Sequence, residues 1–335
     1  MKEEIKKILA INFGGIGDEI LFLPTLISLK KEFPNASILL ALEPRSKGIK
    51  DLTSIIDEVI PVDIKFKNKY VELLKLLIYV HSQKFDMVIS SGGNKFISIL
   101  LFLMGIKYRY GFYTGKLSEL SLTKAVPLNK KQYASLMYHD LISPVTDIKT
   151  LRPVIELKKE ISKEENTILI HPGVSKLSVK LGMIKTITPK LWAEVIDKLL
   201  LSGKKVILTG GPDDKECLEE IKQTMTQKDN SLFVDYEGKT KNLMELAELI
   251  ASAEKFVCSD SAPLHVAVGV GTRTFVIFGP TDYNKLIPSG HDVTPILAKD
   301  TCSVKPCLWE RRQKTCKNLE CLKMSADDIC NYLFY

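Results

Sequence analysis

The chain has 335 residues, 45% hydrophobic and 26% charged. That length and balance suit a two-domain globular protein and exclude disordered and fibrous classes. The longest apolar run, Ile97–Ile106, is about half of the roughly 20 residues a membrane span needs. The +7 net charge is uneven: residues 1–160 carry 24 Lys+Arg against 17 Asp+Glu, and residues 161–335 carry 23 against 23. The basic half implies an anionic partner or an anionic membrane surface, or else a coat of solvated lysines. Gly14, Gly15 and Asp18 interrupt the N-terminal segment before a signal-peptide core can form, so a cytoplasmic protein is expected.

Lys7–Phe13 reads as a buried strand, Gly14-Gly15-Ile16-Gly17-Asp18 as a glycine-rich loop, and Glu19–Phe33 as a helix that bends at Pro24. Ser37–Leu42 is the next strand. Strand, glycine loop, helix and strand open a nucleotide-type βαβ unit. GGIGD lacks the G-x-G-x-x-G spacing, which argues against a Rossmann oxidoreductase. Strands over Glu58–Val62, Met87–Ser90 and Tyr108–Tyr113 alternate with helices over Lys69–Ser82 and Phe96–Met104. Residues 114–150 read as irregular apart from a helix over Tyr133–Leu141. A second series begins near residue 161. It has strands over Thr167–Ile170, Lys205–Thr209 and Leu232–Asp235, and helices over Pro189–Ser202, Asp213–Gln227 and Leu243–Ala253. Two such series predict an α/β protein of two Rossmann-like domains with parallel sheets, residues 1–160 and 161–335.

The stretch Phe256–Pro280 repeats the theme: strand, polar turn, helix Ala262–Val270 stopped by Gly271, strand Thr274–Phe278. In open α/β sheets ligands sit outside the carboxyl ends of the strands. The turn Ser259–Pro263 occupies such a position, and its backbone N–H groups can hold a phosphate oxygen. Asp260 or Ser261 also reads as a plain N-cap, and His265 as a hydrogen-bonded histidine on the inner face of the helix.

Taken together, the motifs resemble glycosyltransferase family 9, the ADP-heptose:lipopolysaccharide heptosyltransferases. The carriers are NFGGIGDEILFLPTL (Asn12–Leu26), YRYGF (Tyr108–Phe112), HPG (His171–Gly173), KTITPKLW (Lys185–Trp192), TGGPDD (Thr209–Asp214), SDSAPLH (Ser259–His265), FGPTD (Phe278–Asp282) and the C-terminal cysteines. The resemblance covers nearly the whole chain. It implies the GT-B fold, with the parallel sheets of two Rossmann-like domains facing a central cleft, the acceptor on the first domain and the nucleotide sugar on the second.

The resemblance further implies an inverting, metal-independent transfer of heptose from ADP-heptose to an inner-core lipopolysaccharide sugar. Asp18 falls where the family has its general base, which takes the proton of the attacking hydroxyl; by itself it also reads as the N-cap of the helix from Glu19. Lys185, seven residues before Trp192, matches the family's phosphate lysine. Ser175, Asp260, Ser261, Ala262 and His265 match its phosphate and sugar contacts. Ala262 replaces a frequent glycine, which requires a negative φ there. Thr209, Gly210 and Gly211 are expected to line the nucleoside pocket. Gly14, Gly15, Lys65, Lys67, Lys69 and Arg109 are candidates for the anionic glycolipid acceptor. Nucleic acid is not an expected partner, whereas peripheral contact with the inner membrane surface is.

Cys302, Cys307, Cys316 and Cys321 form a C-x4-C-x8-C-x4-C array. It reads either as a structural zinc or iron site or as reduced thiols packing a C-terminal lobe. No cofactor is expected in catalysis. Alternatives within the class are another nucleotide sugar or a protein or other glycan acceptor. Outside it stands a non-catalytic nucleotide-sugar-binding protein.

Overall fold

The computed structural model describes residues 4–174, 176–290, 292–299, 302–308, 316 and 318–334. The chain forms two compact units, Met1–Glu156 and Leu157–Tyr335. Among the described residues no helix is long and apolar enough to cross a membrane.

The first unit is built on six strands: β1 (Lys7–Asn12), β2 (Ser37–Leu42), β3 (Glu58–Pro61), β4 (Met87–Ser90), β5 (Tyr108–Phe112) and β6 (Lys124–Val126). They pair in the order β3-β2-β1-β4-β5-β6, every pair parallel. The central strand β1 is apolar on both faces, with Ile8, Leu9, Ala10 and Ile11 wholly buried. That is the pattern of a parallel strand covered by helices on both sides. The helices are α1 (Ile16–Glu32), α2 (Lys69–Ser82), α3 (Lys95–Leu103), α4 (Lys116–Ser121) and α5 (Ala134–His139). One apolar cluster joins Leu9 and Val88 of the sheet to Leu76 and Val80 of α2, Leu100 and Leu101 of α3, and Leu122 beyond α4. These three helices therefore cover one face. Helix α1 packs with α5.

The second unit repeats this plan. Its strands are β7 (Glu164–His171), β8 (Lys205–Leu208), β9 (Phe233–Asp235), β10 (Ala253–Ser259), β11 (Arg273–Phe278) and β12 (Val293–Leu297), in the order β12-β11-β10-β7-β8-β9. Its helices are α6 (Lys176–Lys180), α7 (Pro189–Leu201), α8 (Lys215–Thr224), α9 (Leu243–Ser252), α10 (Ala262–Val270) and α11 (Ala326–Phe334). Trp192 of α7 is fully buried among Ile168, Ile170, Val257 and Phe275, and α11 closes the same core with Ile329, Cys330 and Leu333.

Counted within each unit, both sheets have the doubly wound order 3-2-1-4-5-6. The winding reverses between β1 and β4 and between β7 and β10, and the loops that leave those strands frame a crevice at each reversal.

Some expectations change. Helix α1 starts at Ile16 rather than Glu19 and runs through Pro24. The stretch read as irregular after residue 114 holds α4 and β6. Both are too short to show a periodicity. Helix α11 and strand β12 were not anticipated either.

Gly271 has φ 75° at the end of α10, with open space around its Cα. The Gly271→Ala substitution is therefore expected to cost only the left-handed backbone, about 1 kcal/mol, measured as a lower urea midpoint with an unchanged slope.

Candidate functional site

The first crevice lies beside the glycine loop after β1. Gly15 is the N-cap of α1, and Asp18 is its third residue. The Gly15 N–H donates to Asp18 Oδ2 at 2.9 Å, and the Tyr138 hydroxyl donates to Oδ1 at 3.2 Å. Asp18 thus supports the helix start, though not as the N-cap, and its half-buried carboxylate is fixed in one orientation. A side chain on Gly14 would collide with Asp18, whose Cβ lies 2.3 Å from where a Gly14 Cβ would stand. The glycine thus makes room for the aspartate itself. The loop is tied across the reversal: Asn12 Oδ1 accepts from Gly14 N–H at 3.2 Å and from the Ser91 hydroxyl at 2.9 Å.

Two carboxylates behind this loop were not anticipated. Glu19 and Glu43 are buried, and none of their four carboxylate oxygens has a hydrogen-bond partner among the described residues. Lys65 Nζ lies 3.9 Å from Glu43 and donates to the Phe13 carbonyl at 3.2 Å. Burial, reinforced by the neighbouring Asp18, pushes the Glu19 carboxyl well above its usual 4.5. Burial also raises Glu43, against the pull of Lys65. Burial and the Asp18 charge raise the Tyr138 phenol, which stays a donor. No local pattern in the sequence links Tyr138 to Asp18, 120 positions away.

The second crevice gathers three sequence motifs. After β7 the chain passes through His171-Pro172-Gly173; after β10 it passes through Ser259-Asp260-Ser261. The Ser259 and Thr186 hydroxyls lie 2.7 Å apart, each 2.8 Å from the Pro172 carbonyl, and Trp192 Nε1 donates to Thr186 Oγ1 at 3.0 Å. This is a physical reason for the lysine-to-tryptophan spacing: the buried indole clips Thr186, and the clip aims the preceding Lys185. Lys185 Nζ lies 3.3 Å from Asp260 Oδ2, which also accepts from the Thr281 hydroxyl.

Asp260 is therefore an anchor, and Ser261 is the N-cap of α10 but makes no side-chain cap bond. Its hydroxyl turns back to the Ser259 carbonyl at 3.4 Å. The N-terminus of α10 is left with its helix dipole uncapped by a side chain. Ala262 is helical, so its negative φ meets the requirement set by the missing glycine. His265 is buried in the same helix.

The TGGPDD loop is held by its last aspartate. Gly211 N–H donates to Asp214 Oδ2 at 2.9 Å. A Cβ on Gly173 would stand 1.9 Å from Asp214 Oδ1, and one on Gly210 would stand 3.0 Å from Asp214 Cβ. The glycines of two motifs thus accommodate one buried carboxylate. His171 Nε2 faces it at 3.6 Å, and burial holds the imidazole below its usual 6.5 despite that charge. The buried Thr209 hydroxyl, at the end of β8, has no partner among the described residues.

Not every candidate converges. Arg109 sends its guanidinium to the carbonyls of Ile106, Lys107 and Ser121 and lies over the Phe102 ring, so it braces β5. Lys67 is exposed beyond β3, as is Lys69 at the start of α2. Ser175 lies outside the described residues. Among the described residues no group of three or more His, Cys, Asp or Glu side chains is arranged to hold a metal ion. The metal reading of Cys302, Cys307, Cys316 and Cys321 therefore has no support in the geometry. Burial together with the other three cysteines pushes the Cys321 thiol up to about 11.

The sequence pattern of glycosyltransferase family 9 (heptosyltransferase) matches residues 73–318. Lipopolysaccharide heptosyltransferase 3 of Escherichia coli is 26% identical over 281 residues, covering 80% of this chain and 82% of that protein. Lipooligosaccharide heptosyltransferase 2 of Campylobacter jejuni is 23% identical over 92% of both. The solved structure of E. coli ADP-heptose lipopolysaccharide heptosyltransferase II matches with a TM-score of 0.76 at 18% identity, over 98% of this chain and 97% of that one. The fold is GT-B.

Glu19 binds its proton more tightly folded than unfolded, so stability falls as pH rises above 4.5. Glu19→Gln cannot ionise. It is expected to raise the melting temperature at pH 7.5, by on the order of 1 kcal/mol of stability, and the gain should vanish near pH 4. Thermal melts of both proteins across that range check it.

Proposed function

As a member of glycosyltransferase family 9 this chain is a glycosyltransferase, and we propose that it moves heptose from ADP-heptose to an inner-core lipopolysaccharide sugar in the cytoplasm. The observation that carries the donor half is the convergence of Lys185 and Asp260, 75 positions apart, to 3.3 Å beside the uncapped start of α10. A nucleoside diphosphate needs positive potential where its leaving charge develops, and a lysine and a helix N-terminus supply it.

In this reading the acceptor hydroxyl passes its proton to Asp18 as its oxygen attacks the anomeric carbon. The bond from that carbon to the phosphate oxygen breaks on the opposite side, ADP departs with the electron pair, and the anomeric centre inverts. Tyr138 and the Gly15 N–H keep the Asp18 carboxylate oriented for that transfer. Thr209, Gly210, Ser261, Ala262 and His265 complete the donor side, and Ser175 joins them by its place in the family pattern. Lys65, anchored on the glycine loop, and the exposed Lys67 meet the acceptor's acidic groups. Arg109 has no part in this reading: its Nε and Nη1 brace backbone carbonyls of its own unit.

A ligand present at about 100 times its Kd stabilises a protein by about 2.7 kcal/mol. ADP and ADP-heptose are expected to raise the melting temperature, with GDP and UDP giving less. Lys185→Ala should weaken the ADP effect by about tenfold in Kd. Asp18→Asn should bind ADP like wild type while its transfer rate falls by about a hundredfold or more. Preference for UDP or GDP would overturn the ADP-heptose assignment. Unchanged transfer by Asp18→Asn would overturn the base.

A further inference from the structure

The outer surface of the α2–α3–α4 layer is unusual for a protein face in contact with water. Of twenty large hydrophobic side chains exposed among the described residues, eleven fall between Phe66 and Leu120. They are not residues that failed to find the core. Helix α2 buries Leu76 and Val80 against the sheet and leaves Val71, Leu74 and Ile78 on its opposite side, Ile78 being 64% exposed. Helix α3 buries Leu100 and Leu101 while Phe96 is 70% exposed; on α4, Leu120 is 80% exposed. The two helices pack side by side, and Arg109 lies over Phe102 at the rim of that pair.

Charge is concentrated in the same segment. Residues 64–125 hold ten Lys+Arg against three Asp+Glu, an excess of seven, which equals the net charge of the whole chain. Two of these cations sit over exposed rings, Lys69 with Tyr70 at 5.0 Å and Lys95 with Phe96 at 5.7 Å, and Arg45, from outside the segment, sits over Phe66 at 5.9 Å. Apolar side chains interleaved with long cationic ones suit the boundary between lipid headgroups and acyl chains, where each basic residue adds attraction to anionic lipid.

We propose that the outer face of α2, α3 and α4 docks on an anionic lipid bilayer. A second copy of the chain fits less well, because a two-fold contact would set this basic face against itself. The inference rests on the heptosyltransferase reading only for its purpose. The three helices begin at the carboxyl edge of the sheet, the edge at which Asp18 lies, and Lys65 ties the segment to the Asp18 loop through the Phe13 carbonyl. A face seated on the bilayer there keeps the enzyme beside an acceptor whose lipid is embedded in it.

The test is co-sedimentation of the full chain with vesicles of phosphatidylethanolamine and phosphatidylglycerol, without lipopolysaccharide or nucleotide, so that its failure leaves the transfer reading untouched. Wild type should sediment with these vesicles, less so as salt is raised, and not with pure phosphatidylcholine. The Leu74→Glu/Ile78→Glu variant should partition about tenfold less while retaining the wild-type melting temperature and ADP stabilisation. Failure of wild type to bind, or equal binding by the variant, would overturn the proposal. So would a stable dimer in light scattering that the variant dissociates.

Discussion

The reversal of winding in each sheet is the constraint on which the candidate sites depend. Strands added on either side of β1 and of β7 send their helices to opposite faces, so the loops leaving the paired central strands diverge and leave a crevice. Polar groups bind the two sides of that gap. In the first unit Asn12 reaches Ser91, and in the second Ser259 reaches Pro172. Backbone at such a position would otherwise lose hydrogen-bonding partners on leaving the sheet. The same ties that satisfy it also fix the loops that carry Asp18 and Asp260.

The two units share a second device. Each has two glycines followed by an aspartate three residues after the second, Gly14-Gly15 with Asp18 and Gly210-Gly211 with Asp214. Each aspartate accepts the second glycine's N–H at 2.9 Å and occupies space that a side chain on the first would need. The environments then part the roles. Asp214 is buried against His171 and locks two loops together, whereas Asp18 is half exposed and faces a tyrosine hydroxyl. One local geometry thus serves as a brace in one unit and presents an accessible carboxylate in the other.

Much of the fold was legible in the sequence because buried parallel strands are continuous apolar runs bounded by glycine, and α2 and α10 carry the boundaries read from their patterns. Short elements such as α4 and β6 hold too few residues for a period to appear. The site was legible where it rests on local chemistry: a glycine loop ending in aspartate, and a helix opening after Ser-Asp-Ser. The long-range partners were not. Nothing near Glu19 announces Glu43 as its buried neighbour, and nothing near Asp18 announces Tyr138. Arg109 shows the converse, since its Nε and Nη1 donate to backbone carbonyls that no sequence pattern names. The surface of α2–α4 was visible only as an excess of lysine until the fold showed which apolar residues face outward.

The most direct test of the account is a transfer assay with purified protein, ADP-heptose and lipopolysaccharide lacking inner-core heptose, read by mass spectrometry of the acceptor and release of ADP. The account predicts one heptosyl residue added per ADP released. Release of ADP without a heptosylated acceptor, or transfer only from a UDP or GDP sugar, would contradict it.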